Sequence, residues 1–230
     1  MSHDAYAAVT HVGQVRTNNE DAHLATDTVW MVADGMGGHA AGEVASQLAV
    51  EAVVAADPHD EPGLRDAFAR AHQAVVDASG AEKAGMGTTL LVATLEASGG
   101  VLIGNVGDSR AYLLADGVLN RLTTDDNEAE MLLNEGRITV EQAREHPGQF
   151  ILTASLGGWR SAAPKPAVHL LPARAGRLLL CSDGLNGELT DTEIAGALAE
   201  GGPAHAAQRL VDEAVRAGGR DNVTVVVVDL

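Results

Sequence analysis

Four aspartates in this chain sit where an apolar, strand-like run meets glycine: Asp34 before Gly35, Asp108 after Gly107, Asp183 before Gly184, and Asp221 two residues after Gly219. The first three follow the runs 30–33, 101–106 and 178–181, and Asp221 precedes the run 223–228. A fold can bring strand ends to one point, and several carboxylates at one point tolerate each other only when cations lie between them. Metal chemistry is the first reading. The candidate ligands are oxygen donors, without a histidine pair at helical spacing or a cysteine set, which selects hard cations such as Mg²⁺ or Mn²⁺ over zinc. Two such ions roughly 3.5–4 Å apart activate water for an in-line displacement at phosphorus. Hydrolysis of a phosphate ester is the reaction this set would serve.

A lone Asp-Gly pair is most often a turn. Asp116-Gly117 lies between two short strand-like runs with no other polar signature, and is assigned to a hairpin. Arg16 stands near Glu20 and Asp21 in segment 13–21, where a guanidinium can clamp a phosphate through two hydrogen bonds; the plainer alternative is a surface arginine paired with Glu20. Cys181 has Gly187, not arginine, six residues on, which excludes a cysteine-dependent phosphatase and leaves Cys181 as a small apolar filler at a strand end. No glycine-rich stretch ends in Gly-Lys-Ser/Thr, so ATP is not an expected ligand.

The 230 residues suffice for one domain with a full hydrophobic core, spanning residues 1–230. A single cysteine allows no internal disulfide and no cysteine zinc cluster, and points to a reducing compartment. Neither a signal peptide nor a membrane-length apolar stretch is visible, so a cytoplasmic location away from membranes is expected. A formal charge of −17 repels phosphate backbones and 3% aromatic residues supply few stacking platforms, which disfavours nucleic acid as a partner.

The elements that must position these residues are legible in outline. Residues 5–12 and 22–33 read as strands, and a helix over 40–56 follows, with Val44, Leu48 and Ala52 at helical spacing. A second helix over 63–78 comes after the breakers Pro58 and Pro62. Segments 88–95, 101–106, 111–114 and 118–122 look like consecutive strands joined by hairpin chemistry. Residues 125–147 turn polar and helical in short pieces and close at Pro147-Gly148, as a surface flap would. Strands return at 168–171 and 177–181, helices at 191–199 and 203–217, and a last strand at 223–229. Helices in pairs and strands in meanders argue against a doubly wound parallel sheet and for an α+β arrangement of two antiparallel sheets with helices outside.

Six motifs occur in order: residues 16–21, Val32-Ala33-Asp34-Gly35-Met36-Gly37-Gly38-His39, Gly87-Thr88-Thr89, Val106-Gly107-Asp108-Ser109-Arg110, Cys181-Ser182-Asp183-Gly184-Leu185 and Gly219-Arg220-Asp221-Asn222-Val223-Thr224. Together they resemble the compact bacterial form of the PP2C-type (PPM) metal-dependent serine/threonine protein phosphatases. The resemblance implies a four-layer αββα sandwich of two mostly antiparallel sheets, with residues 125–156 as the flap beside the active site. It also implies an active centre using two Mn²⁺ or Mg²⁺ ions with a weaker third, and direct attack of activated water on phosphorus without a phosphoenzyme. Carried over by position, Asp34 would bridge two metals with the Gly35 carbonyl on one, Asp183 and Asp221 would hold the other, and Asp21 and Glu20 would hold metal-bound waters. Asp108 with Asp183 would form the third site, Arg16 would bind phosphate, and Asn222 would lie next to the water network. The implied partners are phosphorylated proteins, a serine/threonine kinase and its targets, acted on by a monomer. Catalytically weak regulatory and small-phosphoester versions are the alternatives.

Two departures stand out. Met36 occupies the position where animal members place a histidine proposed as general acid, leaving His39, or a water, for that role; the plainer reading of His39 is a helix cap. Asp125-Asp126-Asn127 replaces the usual Asp-His-Ser/Thr of the flap, and Gly148-Gln149 stands where a basic residue is common.

Overall fold

The computed structural model describes residues 5–37, 41–80, 85–158, 162–172 and 176–230. In chain order the elements are β1 (Tyr6–His11), β2 (Asp21–Ala25), β3 (Val29–Met36), α1 (Ala41–Ala56), α2 (Glu61–Ala78), β4 (Gly87–Thr88), β5 (Leu90–Leu95), β6 (Val101–Val106), β7 (Arg110–Ala115) and β8 (Val118–Arg121). There follow α3 (Glu128–Asn134), α4 (Val140–Glu145), a 3-10 turn (Pro147–Phe150), β9 (Leu156–Gly157), β10 (Ala167–Leu171), β11 (Arg177–Cys181), α5 (Asp183–Asn186), α6 (Asp191–Leu198), α7 (Pro203–Ala217) and β12 (Val223–Asp229).

A five-stranded sheet runs β1-β12-β11-β7-β8, and a seven-stranded sheet runs β10-β6-β5-β3-β4-β9 with β2 also paired to β3. Each of these pairings is antiparallel. The valine run of β12 shows how period-two alternation builds the layers. Val226 and Val228 point between the sheets, against Trp30, Val32, Leu91 and Ile103. Val223, Val225 and Val227 point outward, with Leu179, onto Ile194 of α6 and Leu210 of α7. On the other outer face Met31, Leu90 and Val92 meet Ala49 and Val53 of α1 and Leu64 and Phe68 of α2. Three apolar interfaces between four layers give the expected αββα sandwich.

Several local expectations need correction. Segment 22–33 is a hairpin, not one strand: β2 ends at Ala25, and the Thr26 hydroxyl accepts from the Val29 amide at 3.0 Å to close the turn. Strand β3 then continues through Asp34 to Met36 rather than stopping before the aspartate. Segment 88–95 divides at Thr89, whose amide donates to the Asp34 carbonyl instead of continuing one ladder. Pro62 lies inside the first turn of α2, where its missing N–H costs nothing, and Asp60 caps that helix through the Gly63 amide at 2.7 Å. In α1 the large Val44 and Leu48 are half-buried, while the small Gly42, Ala45 and Ala49 face inward and let the helix approach the sheet closely. The Asp116-Gly117 hairpin is present, with positive φ at both residues, as a two-residue turn between Ala115 and Val118 requires.

The segment read as a flap leaves β8, forms α3, α4 and the 3-10 turn, and returns through β9 to pair with β4. Among the described residues no helix is long and apolar enough to cross a membrane.

Candidate active site

Sheet pairing gathers the aspartates. Asp21 and Asp34 are cross-strand partners in β2 and β3. Asp183 opens α5 two residues after β11, and Asp221 lies two residues before β12; Cys181 pairs with Val225, so these two ends lie side by side. Arg110, which starts β7, pairs with Cys181 and brings the Asp108 turn to the same end. Asp34 is held by its backbone: its carbonyl accepts from the Thr89 amide and the Thr88 hydroxyl, both at 2.9 Å, and its amide donates to Thr89 Oγ1 at 2.9 Å. Thr89 Oγ1 also lies 2.9 Å from Ser109 Oγ, which ties β3 to the turn carrying Asp108.

Two glycines permit this convergence. A Cβ on Gly35 would stand 2.1 Å from the Gly42 carbonyl oxygen, and one on Gly184 only 2.0 Å from that of Asn222. The backbone of α1 therefore touches β3 beside Asp34, and α5 touches the Asp221 segment, at distances no side chain allows.

The electrostatics are those of an acidic cluster short of positive charge. Burial pushes Asp21 up to about 7, with the charges of Asp183 and Asp221 adding to the rise and hydrogen bonds from Thr224 and Ser182 opposing it. Burial and then the Asp221 charge push Asp183 up to about 6, against a hydrogen bond with Asp34 and the attraction of Arg16. Asp34 and Asp108 are held well above the usual carboxylate range by burial and by neighbouring acids, Asp183 among them for both. Oδ1 of Asp21 and Oδ1 of Asp183 are buried with no hydrogen-bond partner. Unpartnered carboxylate oxygens are costly and need a donor or a cation. Among the described residues no three His, Cys, Asp or Glu side chains close around one point. Magnesium-like ions suit such a site, because they take one or two carboxylates and keep several waters. The donor set fits a hard divalent cation.

Other residues take partners that sequence spacing did not reveal. Arg16 pairs with Asp221, not Glu20, through Nη2 and Oδ2 at 2.7 Å, and its side chain remains 54% exposed. Asn222 has protein partners: its Nδ2 donates to the carbonyls of Val12 and Asn18, and its Oδ1 accepts from the Glu20 amide. It pins the loop bearing Arg16, Glu20 and Asp21 to β12. Ser182, not singled out from sequence, donates to Asp21 Oδ2 at 2.8 Å and accepts from the Thr224 amide at 3.0 Å. Its place beside Asp183 in the motif was the available signal. His39 lies outside the described residues.

The flap departures have structural uses. Asp125, 3% exposed, accepts from Arg110 Nη2 and lies 2.7 Å from Arg121 Nη2. Asp126 Oδ2 accepts from the Gly107 amide at 3.0 Å, joining the flap root to the Asp108 turn. Asn127 caps α3 by accepting from the Glu130 amide. Cys181 is buried, its thiol pushed up to about 12 chiefly by burial, as an inert filler would be.

Comparison with known proteins matches this arrangement to one family. Residues 10–217 match the family described as protein phosphatase 2C. The serine/threonine protein phosphatase PstP of Mycobacterium tuberculosis is 45% identical over 234 residues, covering 98% of this chain and 45% of PstP. The chain thus spans about half the length of that relative. The serine/threonine phosphatase stp of Listeria monocytogenes is 36% identical over 239 residues, covering 96% of this chain and 93% of its own. Among solved structures, the catalytic domain of PstP in complex with two manganese ions superposes with a TM-score of 0.88 at 41% identity, covering 97% of this chain and 96% of that one. A family match along most of the chain, joined to a shared fold and relatives well above 30% identity, makes this protein a member of the protein phosphatase 2C family.

Proposed function

We propose that the chain is a metal-dependent phosphatase that hydrolyses phosphoserine and phosphothreonine in proteins. The observation that carries this reading is the acidic cluster at one end of the sandwich, with buried, unpartnered oxygens on Asp21 and Asp183. The names of the relatives and the two manganese ions of the PstP structure support it.

In this reading Asp34 and the Gly35 carbonyl, Asp183 and Asp221 hold two Mn²⁺ or Mg²⁺ ions, Asp108 with Asp183 holds a weaker third, and Asp21 and Glu20 hold water around them. When bound, such ions activate water and offset charge on the phosphoryl oxygens. The chain's own residues do the positioning. Arg16 is exposed enough to exchange Asp221 for phosphoryl oxygens, and its planar fork matches two of them at once. Ser182 fixes the orientation of the Asp21 carboxyl through Oδ2 and leaves Oδ1 open. Asn222 keeps the Arg16 loop over the site. His39 is the candidate proton donor to the leaving oxygen and a substrate contact. Residues 125–156 act as a flap within one phosphatase domain. The partners are a serine/threonine kinase and its targets, met by a monomer in the cytoplasm.

Purified chain is expected to hydrolyse a phosphothreonine peptide and p-nitrophenyl phosphate with Mn²⁺, and to lose both activities in EDTA. Turnover that persists in EDTA, or a clear preference for sugar phosphates over phosphopeptides, overturns the reading.

A further inference from the structure

We propose that Glu188 and Arg220 form a latch that positions Asp183 and Asp221 relative to each other before any cation binds; the proposal rests on the metal-dependent reading above. Glu188 closes the turn that Asp183 opens: the Gly187 amide donates to the Asp183 carbonyl at 2.8 Å, and the Glu188 amide to Leu185 at 3.2 Å. Its carboxylate reaches across 32 residues of sequence. Oε1 accepts from the Arg220 amide at 2.9 Å and from Arg220 Nε at 2.8 Å, and Oε2 accepts from Nη2 at 3.2 Å. Nη2 also donates to the Gly187 carbonyl at 2.9 Å. Arg220 immediately precedes Asp221, and on the other side of the same loop the Gln14 amide donates to the Gly219 carbonyl at 2.7 Å.

The burial of the pair is lopsided. The Glu188 side chain is 5% exposed and that of Arg220 is 72% exposed. Burial works to raise the Glu188 pKa, but hydrogen bonds from Arg220 outweigh it and hold the group below the usual glutamate range, so it stays ionised. An ordinary surface pair contributes little to stability and does not warrant burying one carboxylate. Other arginine pairs of this chain, such as Arg65 with Glu61 and Arg209 with Glu213, link neighbours one helical turn apart. The Glu188 pair instead joins two segments that each end in a site aspartate.

Those aspartates stand on adjoining segments, since Cys181 pairs with Val225 and Gly184 packs against the Asn222 carbonyl, and like charges brought together repel. Without a cation the repulsion favours separation of α5 from the Asp221 loop, and the latch opposes it. Glu188 is therefore a positioning residue: its removal leaves every candidate ligand in place but makes the cation draw two segments together. Loss of a partner that orients metal ligands typically weakens metal affinity on the order of tenfold or more.

Calorimetric titration of Mn²⁺ into the EDTA-stripped, desalted protein tests this. Glu188→Ala and Arg220→Ala are each expected to weaken Mn²⁺ binding about tenfold, and the double variant no further. Glu188→Gln, which keeps an acceptor for the Arg220 amide and Nε, is expected to retain most of the affinity. Glu213→Ala, which breaks a remote pair, should bind as wild type. Turnover lost in Glu188→Ala at low Mn²⁺ should return as Mn²⁺ is raised. Wild-type affinity in Glu188→Ala, or losses that add in the double variant, overturns the latch alone. Failure of the wild type to bind Mn²⁺ removes the metal-dependent reading and the latch with it.

Discussion

Asp-Gly occurs in this chain both within the buried acidic cluster and as an ordinary turn. At Asp116-Gly117 both residues have positive φ, and a Cβ on Gly117 would meet nothing within 4 Å. The glycine is there for its backbone conformation alone. At Asp34-Gly35 and Asp183-Gly184 neither glycine has positive φ, and the missing Cβ admits a carbonyl from another element at 2.1 and 2.0 Å. These glycines are there for close approach, which crowds carboxylates together. The same dipeptide thus bends the chain in one place and packs two backbones in another, and only the second use concentrates charge.

The sharpest way to break this distinction is to remove the acids. Asp183→Ala is expected to lower turnover by roughly 10³-fold, the kinetic equivalent of several kcal/mol of lost charge stabilisation, while Asp116→Ala stays within about twofold of wild type. Comparable losses in both, measured with a phosphopeptide at saturating Mn²⁺, would show that the hairpin and the site are not different in kind.

The glycines give the next largest contrast. Gly184→Ala should destabilise the fold by about 3 kcal/mol, because the added carbon collides with a backbone oxygen that cannot rotate away. Gly117→Ala should cost about 1 kcal/mol from its left-handed conformation and leave turnover intact. Denaturant midpoints read both values.

If Arg16 clamps the phosphate as proposed, Arg16→Ala should raise KM for the phosphopeptide by roughly tenfold and alter kcat less. An unchanged KM removes Arg16 from the site.

A smaller effect concerns pH. Asp21 and Asp183 bind protons more tightly folded, with values of about 7 and about 6, than a free carboxyl whose ordinary value is 3.8. Their contribution to stability is full below the unfolded value and is lost as pH rises through the folded ones. The metal-free protein should therefore melt at a lower temperature near about pH 8 than near about pH 5, with Mn²⁺ reversing the loss at the higher pH. Asp183→Asn should flatten that slope and Asp116→Asn should not.

Much of the architecture was legible because it follows from periodicity. The β12 run, the helix α7 behind Pro203 and the β7–β8 hairpin all express patterns a few residues long. The β2–β3 hairpin is not legible in the sequence because its turn, residues 26–28, contains no glycine, proline or asparagine and closes through the Thr26 hydroxyl. Helix α5, four residues long, is too short to show a period. At the site, apolar runs meeting Asp and Gly pointed to Asp34, Asp108, Asp183 and Asp221, but nothing local signalled that Arg16 would rest on Asp221 or that Asn222 would hold the Arg16 loop.

By itself the sequence determined which residues carry the charge, which runs enter the sheets, and to which family the order of motifs points, because each is written in neighbouring residue types. Tertiary structure decided who stands beside whom: Ser182 beneath Asp21, Glu188 under Arg220, Asp126 on Gly107. Those pairings join residues far apart in the chain, and hydrogen bonds depend on distance in space, which sheet register and helix packing alone set.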